Sequence, residues 1–111
     1  MPIQTTVQKN NLATAYGVNA THAAVYTTAA GATAGTEPGA PYARKPIAWG
    51  AASNGVITGT VTFDIAAGVT LVAGGVHTAL TAGTYLDGGA VTSQLFATAG
   101  TYTLTLTYTQ A

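Results

Sequence analysis

No cysteine occurs anywhere in the 111 residues. Disulfides and thiolate metal sites are therefore excluded, and the redox compartment leaves no mark on the chain. Charge is almost as scarce. Three Lys/Arg balance three Asp/Glu, and charged residues make up 5% of the chain, where ordinary soluble domains carry about 25%. A nucleic-acid partner is disfavoured, because phosphate contacts need Lys and Arg in numbers. Apolar runs break at Gly or Thr well short of the roughly 20 residues of a membrane-spanning helix, so no membrane partner is expected. The opening residues, MPIQTTVQKNN, lack the basic and then apolar blocks of a secretory signal.

Thr, Ala and Gly fill the space that charge leaves. Thr is β-branched, favours strands and tolerates water. A disordered chain would combine high charge with few such residues. The length suits one domain, 1–111, able to bury roughly two thirds of its unfolded surface. A nearly uncharged surface gives a free monomer little protection against association. The composition fits a protein that works packed against neighbours, copies of itself included.

Alternation of apolar and polar residues places the elements. In VITGTVTFDI, Ile57, Val61, Phe63 and Ile65 share one face while Thr58, Thr60, Thr62 and Asp64 share the other. In TYTLTLTYT, Tyr102, Leu104, Leu106 and Tyr108 oppose five threonines. Period two means one buried and one exposed face. The core is expected to contain Ile57, Val61, Phe63, Ile65, Leu104 and Leu106, with Tyr102 and Tyr108 in or beside it. Shorter strands are expected in THAAVYTT (21–28), VTLVAG (69–74), TYLDGG (84–89) and VTSQLFAT (91–98), separated by the turn signals AAGV, AGGV, TAGT, DGG and TAGT. Such spacing indicates an all-β antiparallel sandwich, jelly-roll-like or immunoglobulin-like. One short helix precedes it, within an N-terminal segment 1–17. Thr5 and Gln8 have capping-box spacing, Gly17 can cap the C-terminus, and Val7, Leu12, Ala15 and Tyr16 form a loose face. The stretch 29–41, AAGATAGTEPGAP, reads as a Gly/Pro-rich loop.

The residues that do chemistry are few. His22 and His77 stand far apart in sequence with no metal-ligand motif around them, and read as isolated strand or loop histidines. They could bind zinc only if the fold joined them to a third ligand. Glycoside hydrolysis needs two carboxylates flanking a cleft. Glu37 falls in the Gly/Pro loop, Asp64 on the Thr face and Asp87 in an Asp-Gly turn signal, so no catalytic pair is expected. Ser53 and Ser93 lie outside any nucleophile elbow. No catalytic residue, metal or cofactor is expected. Trp49 reads as a core anchor more readily than as a platform for ligands.

Two of the three basic residues lie in YARKPIAWG, residues 42–50, beside the single tryptophan. Together with VTFDIAAGVTL (61–71), GTYLDGGAV (83–91) and FATAGTYTLT (96–105), this stretch resembles a family of small phage virion proteins frequent in viruses of actinobacteria. Its members are variously described as head decoration, minor capsid, minor tail or tail fibre proteins. The resemblance covers nearly the whole chain, and the order of the motifs carries it. Relatives often bear an aromatic-rich segment where this chain has VAGGVHTALTAG (72–83), so any contact made there is not carried over. The resemblance implies a non-enzymatic structural protein on the phage particle surface. Its partners would be the major capsid protein or tail subunits, together with copies of itself. A head decoration role reinforcing subunit junctions is preferred, since the chain has no long repetitive shaft. The alternative is a minor tail or tail-fibre module that helps attach to a host surface. The candidate partner interface comprises Glu37, Pro38, Tyr42, Arg44 and Lys45, within a contact region of the N-terminal segment from Pro2 to Tyr16, the Gly/Pro loop and the strand from Tyr42 to Trp49. Arg44 and Lys45 alternate sides of a strand, so one can point outward. Pro46 removes a donor and favours a sheet edge. A basic residue there can dock on an acidic subunit, discourage unwanted edge pairing, or stand as a plain solvated charge.

Overall fold

The computed structural model describes residues 5 to 109; residues 2 to 4 of the contact region lie outside them. A helix α1 (Thr6–Asn19) precedes six strands: β1 (His22–Tyr26), β2 (Lys45–Pro46), β3 (Val56–Ile65), β4 (Val69–His77), β5 (Tyr85–Phe96) and β6 (Gly100–Thr109). They form two antiparallel sheets, one ordered β2-β1-β4-β5 and the other β3-β6. The fold is an all-β sandwich with one short helix.

The two long alternating strands pair with each other. Val61 faces Leu104 across the β3–β6 ladder, Phe63 faces Tyr102, and Thr62 faces Thr103. Ile57, Val61, Phe63, Ile65 and Leu104 are buried, while Leu106 is half-buried against the core rather than within it. Ala23 and Val25 of β1, Leu71 of β4 and Phe96 of β5 complete that core from the other sheet. Full burial of Phe63 stabilises the fold by roughly 1.5–3 kcal/mol through transfer from water alone, and its ring lies 5.7 Å from that of Tyr42.

Three expectations are corrected. The DGG and AGG signals are not turns. Tyr85 to Phe96 is one strand, in which Gly88 and Gly89 pair with Gly75 and Gly74 of β4. The Asp87 carboxylate accepts a hydrogen bond from the N–H of Gly88 at 2.9 Å without turning the chain. Facing glycine pairs present four small surfaces to one another, so the ladder forms without crowding. Second, α1 continues through Gly17 and ends where the Ala20 N–H reaches the Tyr16 carbonyl. Gly17 gives room by its size: a Cβ there would press on the Trp49 ring at 3.1 Å, closer than nearly all such contacts. Third, the helix docks by only part of the expected face, on which Leu12 is half-buried. Val7 is 72% exposed and Ala15 is exposed, while Ala13 is buried and Tyr16 half-buried. Asn10 fixes this choice by accepting a hydrogen bond from the Gly55 N–H at 2.8 Å. Thr5 caps the helix as its spacing suggests, accepting from the Gln8 N–H at 3.3 Å.

The Gly/Pro-rich loop packs on its own domain. It covers the outer face of the four-stranded sheet, where Tyr26, Ala24 and Ala73 form a second buried cluster. The Thr27 N–H donates to the Thr36 carbonyl, the Thr36 N–H to the Thr28 hydroxyl, and the Tyr85 hydroxyl to the Gly31 carbonyl. Gly35 lies so close to Tyr26 that a Cβ would come within 2.8 Å of that side chain.

Candidate partner interface

Four of the five residues expected at an interface adjoin one depression, and three of them bond to one another. Glu37 Oε1 accepts from the Tyr42 hydroxyl at 2.6 Å and from Arg44 Nε at 2.9 Å, while Oε2 accepts from Arg44 Nη2 at 2.9 Å. This is a bidentate guanidinium–carboxylate pair, the strongest geometry available to two such groups. Arg44 Nη1 donates in addition to the carbonyls of Ala79, at 3.2 Å, and Ala82, at 2.8 Å. The Tyr42 hydroxyl accepts from the Val25 N–H at 3.3 Å. One guanidinium therefore ties the Gly/Pro loop and the turn after β4 to the segment entering β2.

The electrostatics follow from this geometry. Burial opposes ionisation of Glu37, yet the hydrogen bonds from Arg44 and Tyr42 and the Arg44 charge outweigh it and hold the carboxyl below its ordinary range. The bond to Glu37 likewise strengthens the hold of Arg44 on its proton. Burial, then the adjacent carboxylate, pushes the Tyr42 phenol far up. The three groups stay as ionised acid, cation and neutral phenol across the physiological range.

Arg44 is thus a staple: its side chain is 13% exposed, and its donors face its own chain. Lys45, paired with Ala23 at the edge of the sheet, forms no ion pair among the described residues. Pro46 sits in the edge strand β2, opposite His22. Pro38 is half-buried and lines, with Glu37, Tyr42, Arg44 and Leu80, a shallow depression of about 460 Å³. Trp49 serves the helix instead of this network. Its Nε1 donates to the Ala20 carbonyl at 2.8 Å, and its ring meets Tyr16 edge-on at 6.1 Å.

The remaining polar residues sort by face. Asp64 is exposed on the outer face of β3 among threonines, Asp87 is exposed on β5, and Glu37 belongs to the staple. The histidines, far apart in sequence, are direct cross-strand partners on β1 and β4. His77 is buried, with Nε2 2.5 Å from the Tyr26 hydroxyl; His22 Nδ1 lies 2.9 Å from the Thr21 hydroxyl. Burial, then the nearby Arg44 charge, lowers the His77 pKa. No third ligand joins them: the described residues contain no group of three or more potential metal ligands.

One feature lay beyond sequence reasoning. A cleft of about 280 Å³ opens between β5 and β6, lined among others by Gly74, Gly89, Leu104 and Tyr108, with Tyr16 and Trp49 at one end. Tyr16 and Tyr108 stack there with ring centroids 3.9 Å apart, and burial, followed by the Asp87 charge, pushes the Tyr16 pKa up to about 12. The available signals were the paired glycines and the Tyr/Leu stripe of β6, which without the fold read as turns and core. Compared with known proteins, the chain matches no family model, no curated protein and no solved structure.

Proposed function

We propose that this chain is a non-enzymatic structural subunit of a phage particle, a head decoration protein that binds the outer shell and reinforces its subunit junctions. The observation that carries this reading is the outward face of the β3–β6 ribbon. It consists of exposed threonines in cross-strand register with a single carboxylate, Asp64. Such a surface can be covered with little charge desolvation, and its hydroxyls can hydrogen-bond a partner. Leu80, Leu86 and Leu95 add exposed apolar contact area, with Leu95 61% exposed. Repeated by symmetry, burial of such surface holds neighbouring subunits together. The sequence resemblance points the same way.

The position and copy number of the chain in an intact particle test the proposal directly. Electron cryomicroscopy should find it on the outside of the shell, at subunit junctions and in a copy number set by shell symmetry. Density confined to the tail would transfer the reading to a tail module, and absence from the particle would refute it.

A further inference from the structure

The two sheets do not match in width. Inward residues of β1 and β4 pack against those of β3 and β6 in one core. Gly74 of β4 lies over Leu104 of β6, and a Cβ at 74 would meet that leucine at 3.1 Å. Gly89 of β5 pairs with Gly74, so its face is the same, yet a Cβ at 89 would meet nothing within 4 Å. Of the twelve residues of β5 only Phe96, at its end, is buried. β5 therefore overhangs a lower sheet that stops one strand short. The cleft beneath it runs along five consecutive residues of each strand, Asp87 to Val91 above and Leu104 to Tyr108 beside. Among the described residues both bordering strands have one edge that joins no other strand, since β5 pairs only with β4 and β6 only with β3. Neither carries Pro, and Asp87 is their one charge.

We propose that this cleft is a strand-acceptor site, in which an extended segment of a partner protein adds to the edge of β6 beneath β5. Backbone groups along the outer edge of β6 would supply the ladder, and alternate side chains of the guest would fill the space under Gly89. Every strand pair in the fold is antiparallel, the direction taken for the guest, and charge then sets which of its ends is basic. Phe96 packs on Tyr102 at one end, so Asp87 lies toward the Tyr108 end. A segment antiparallel to β6 enters at that end, and its first residue is basic. The remainder is apolar on the inward side and neutral on the outward side, continuing the Thr face. The edge of a second copy does not fit. A two-fold placing its β6 beside this one would bring its β4 into the space that β5 occupies. The guest is therefore a lone segment, which narrows the proposed docking role to one site and rests on that role only for where the donor is found.

Trp49 lines the cleft and is the single tryptophan of the chain, so its emission reports occupancy. The probe is an acetylated six-residue peptide that begins with lysine and alternates valine with threonine, titrated into the purified full chain. A saturable change in emission is expected. It should be lost in Gly89→Phe, which fills the cleft from above, and in the smaller Gly89→Val should the phenylalanine variant fail to fold; circular dichroism and the melting midpoint establish folding. Replacing the peptide's lysine by glutamate should weaken binding by up to about fivefold, the range of a partly exposed ion pair. No response from the wild type, or an equal response from a folded Gly89 variant, overturns the proposal. So does a wild-type dimer in sedimentation velocity that Gly89→Phe dissolves, which would make the occupant a second copy. Failure of the wild type to co-sediment with particles lacking it would remove the virion role alone, because the peptide titration decides the cleft without particles.

Discussion

Replacing Arg44 by alanine should destabilise the domain by about 2–3 kcal/mol. The side chain makes two charge-assisted bonds to Glu37 and two to backbone carbonyls. A fully buried pair loses about 3–5 kcal/mol when one partner is removed, and an exposed pair 0–1 kcal/mol. At 13% and 27% side-chain exposure this pair lies between, nearer the buried limit. The loss corresponds to a fall in melting midpoint of roughly 8–20 °C for a domain of this size. Urea denaturation of wild type, Arg44→Ala, Glu37→Gln and the double variant gives the coupling energy directly. The pair also has a pH signature. Glu37 titrates below its ordinary value of 4.5 in the folded chain, so its contribution is complete above that value and drains away as pH falls through the folded one. Arg44→Ala should abolish most of this acid-limb slope. A stability change under about 0.5 kcal/mol, in the range of an unconnected surface substitution, would refute the staple and return Arg44 to the role of a solvated or docking charge.

Phe63→Ala should cost about 3–5 kcal/mol by denaturation, because a fully buried ring leaves a cavity behind; a cost within about 0.5 kcal/mol would show the β3 face to be misassigned. His77 has a lowered pKa in the fold, so the folded chain binds fewer protons near its ordinary value of 6.5. Stability should be complete above that value and decline below it, and His77→Gln should flatten that limb in a pH series of melting curves. Deleting residues 31–39 should destabilise the isolated domain, since it uncovers Tyr26 and removes Glu37; a variant as stable as the wild type would show that the loop does not pack on the sheet.

Long alternating strands were legible because period-two patterning over ten residues admits one answer. β3 and β6 form and turn inward the faces that their sequences assign, with Leu106 half-buried at the margin of the core; their pairing with each other was not written in either strand. The helix was legible in existence and in its Thr5 cap but only partly in its face, where Leu12 and Tyr16 are half-buried and Val7 and Ala15 are exposed. Its burial depends on Asn10 finding the Gly55 amide and on Gly17 admitting Trp49, both contacts between residues distant in sequence. The glycine pairs misled for a related reason. A Gly-Gly dipeptide signals a turn when judged alone, but 74–75 and 88–89 face each other in a ladder, and no local rule contains the partner strand. The cluster of Glu37, Tyr42 and Arg44 was visible as a neighbourhood. Whether its charges faced inward or outward depended on the carbonyls of Ala79 and Ala82, which arrive from a loop 35 or more residues away.

The distribution of edge protection separates the two sides of the sandwich. An exposed strand edge invites pairing unless it is short, charged, interrupted by proline or covered. β2 has three of these defences: it is two residues long and consists of Lys45 and Pro46. Arg44, one residue earlier, binds the adjoining loops down over the outer face of the same sheet. On the opposite side, β5 and β6 present twelve and ten residues with Asp87 as their one charge and no proline between them. A chain with six charged residues in 111 has placed Glu37, Arg44 and Lys45 together on the side that is closed. The long neutral edges border the cleft in which the lower sheet lacks a strand. Selection for solubility alone would favour placing lysine on the longer edges. The opposite placement is what a surface that remains open to a partner strand requires.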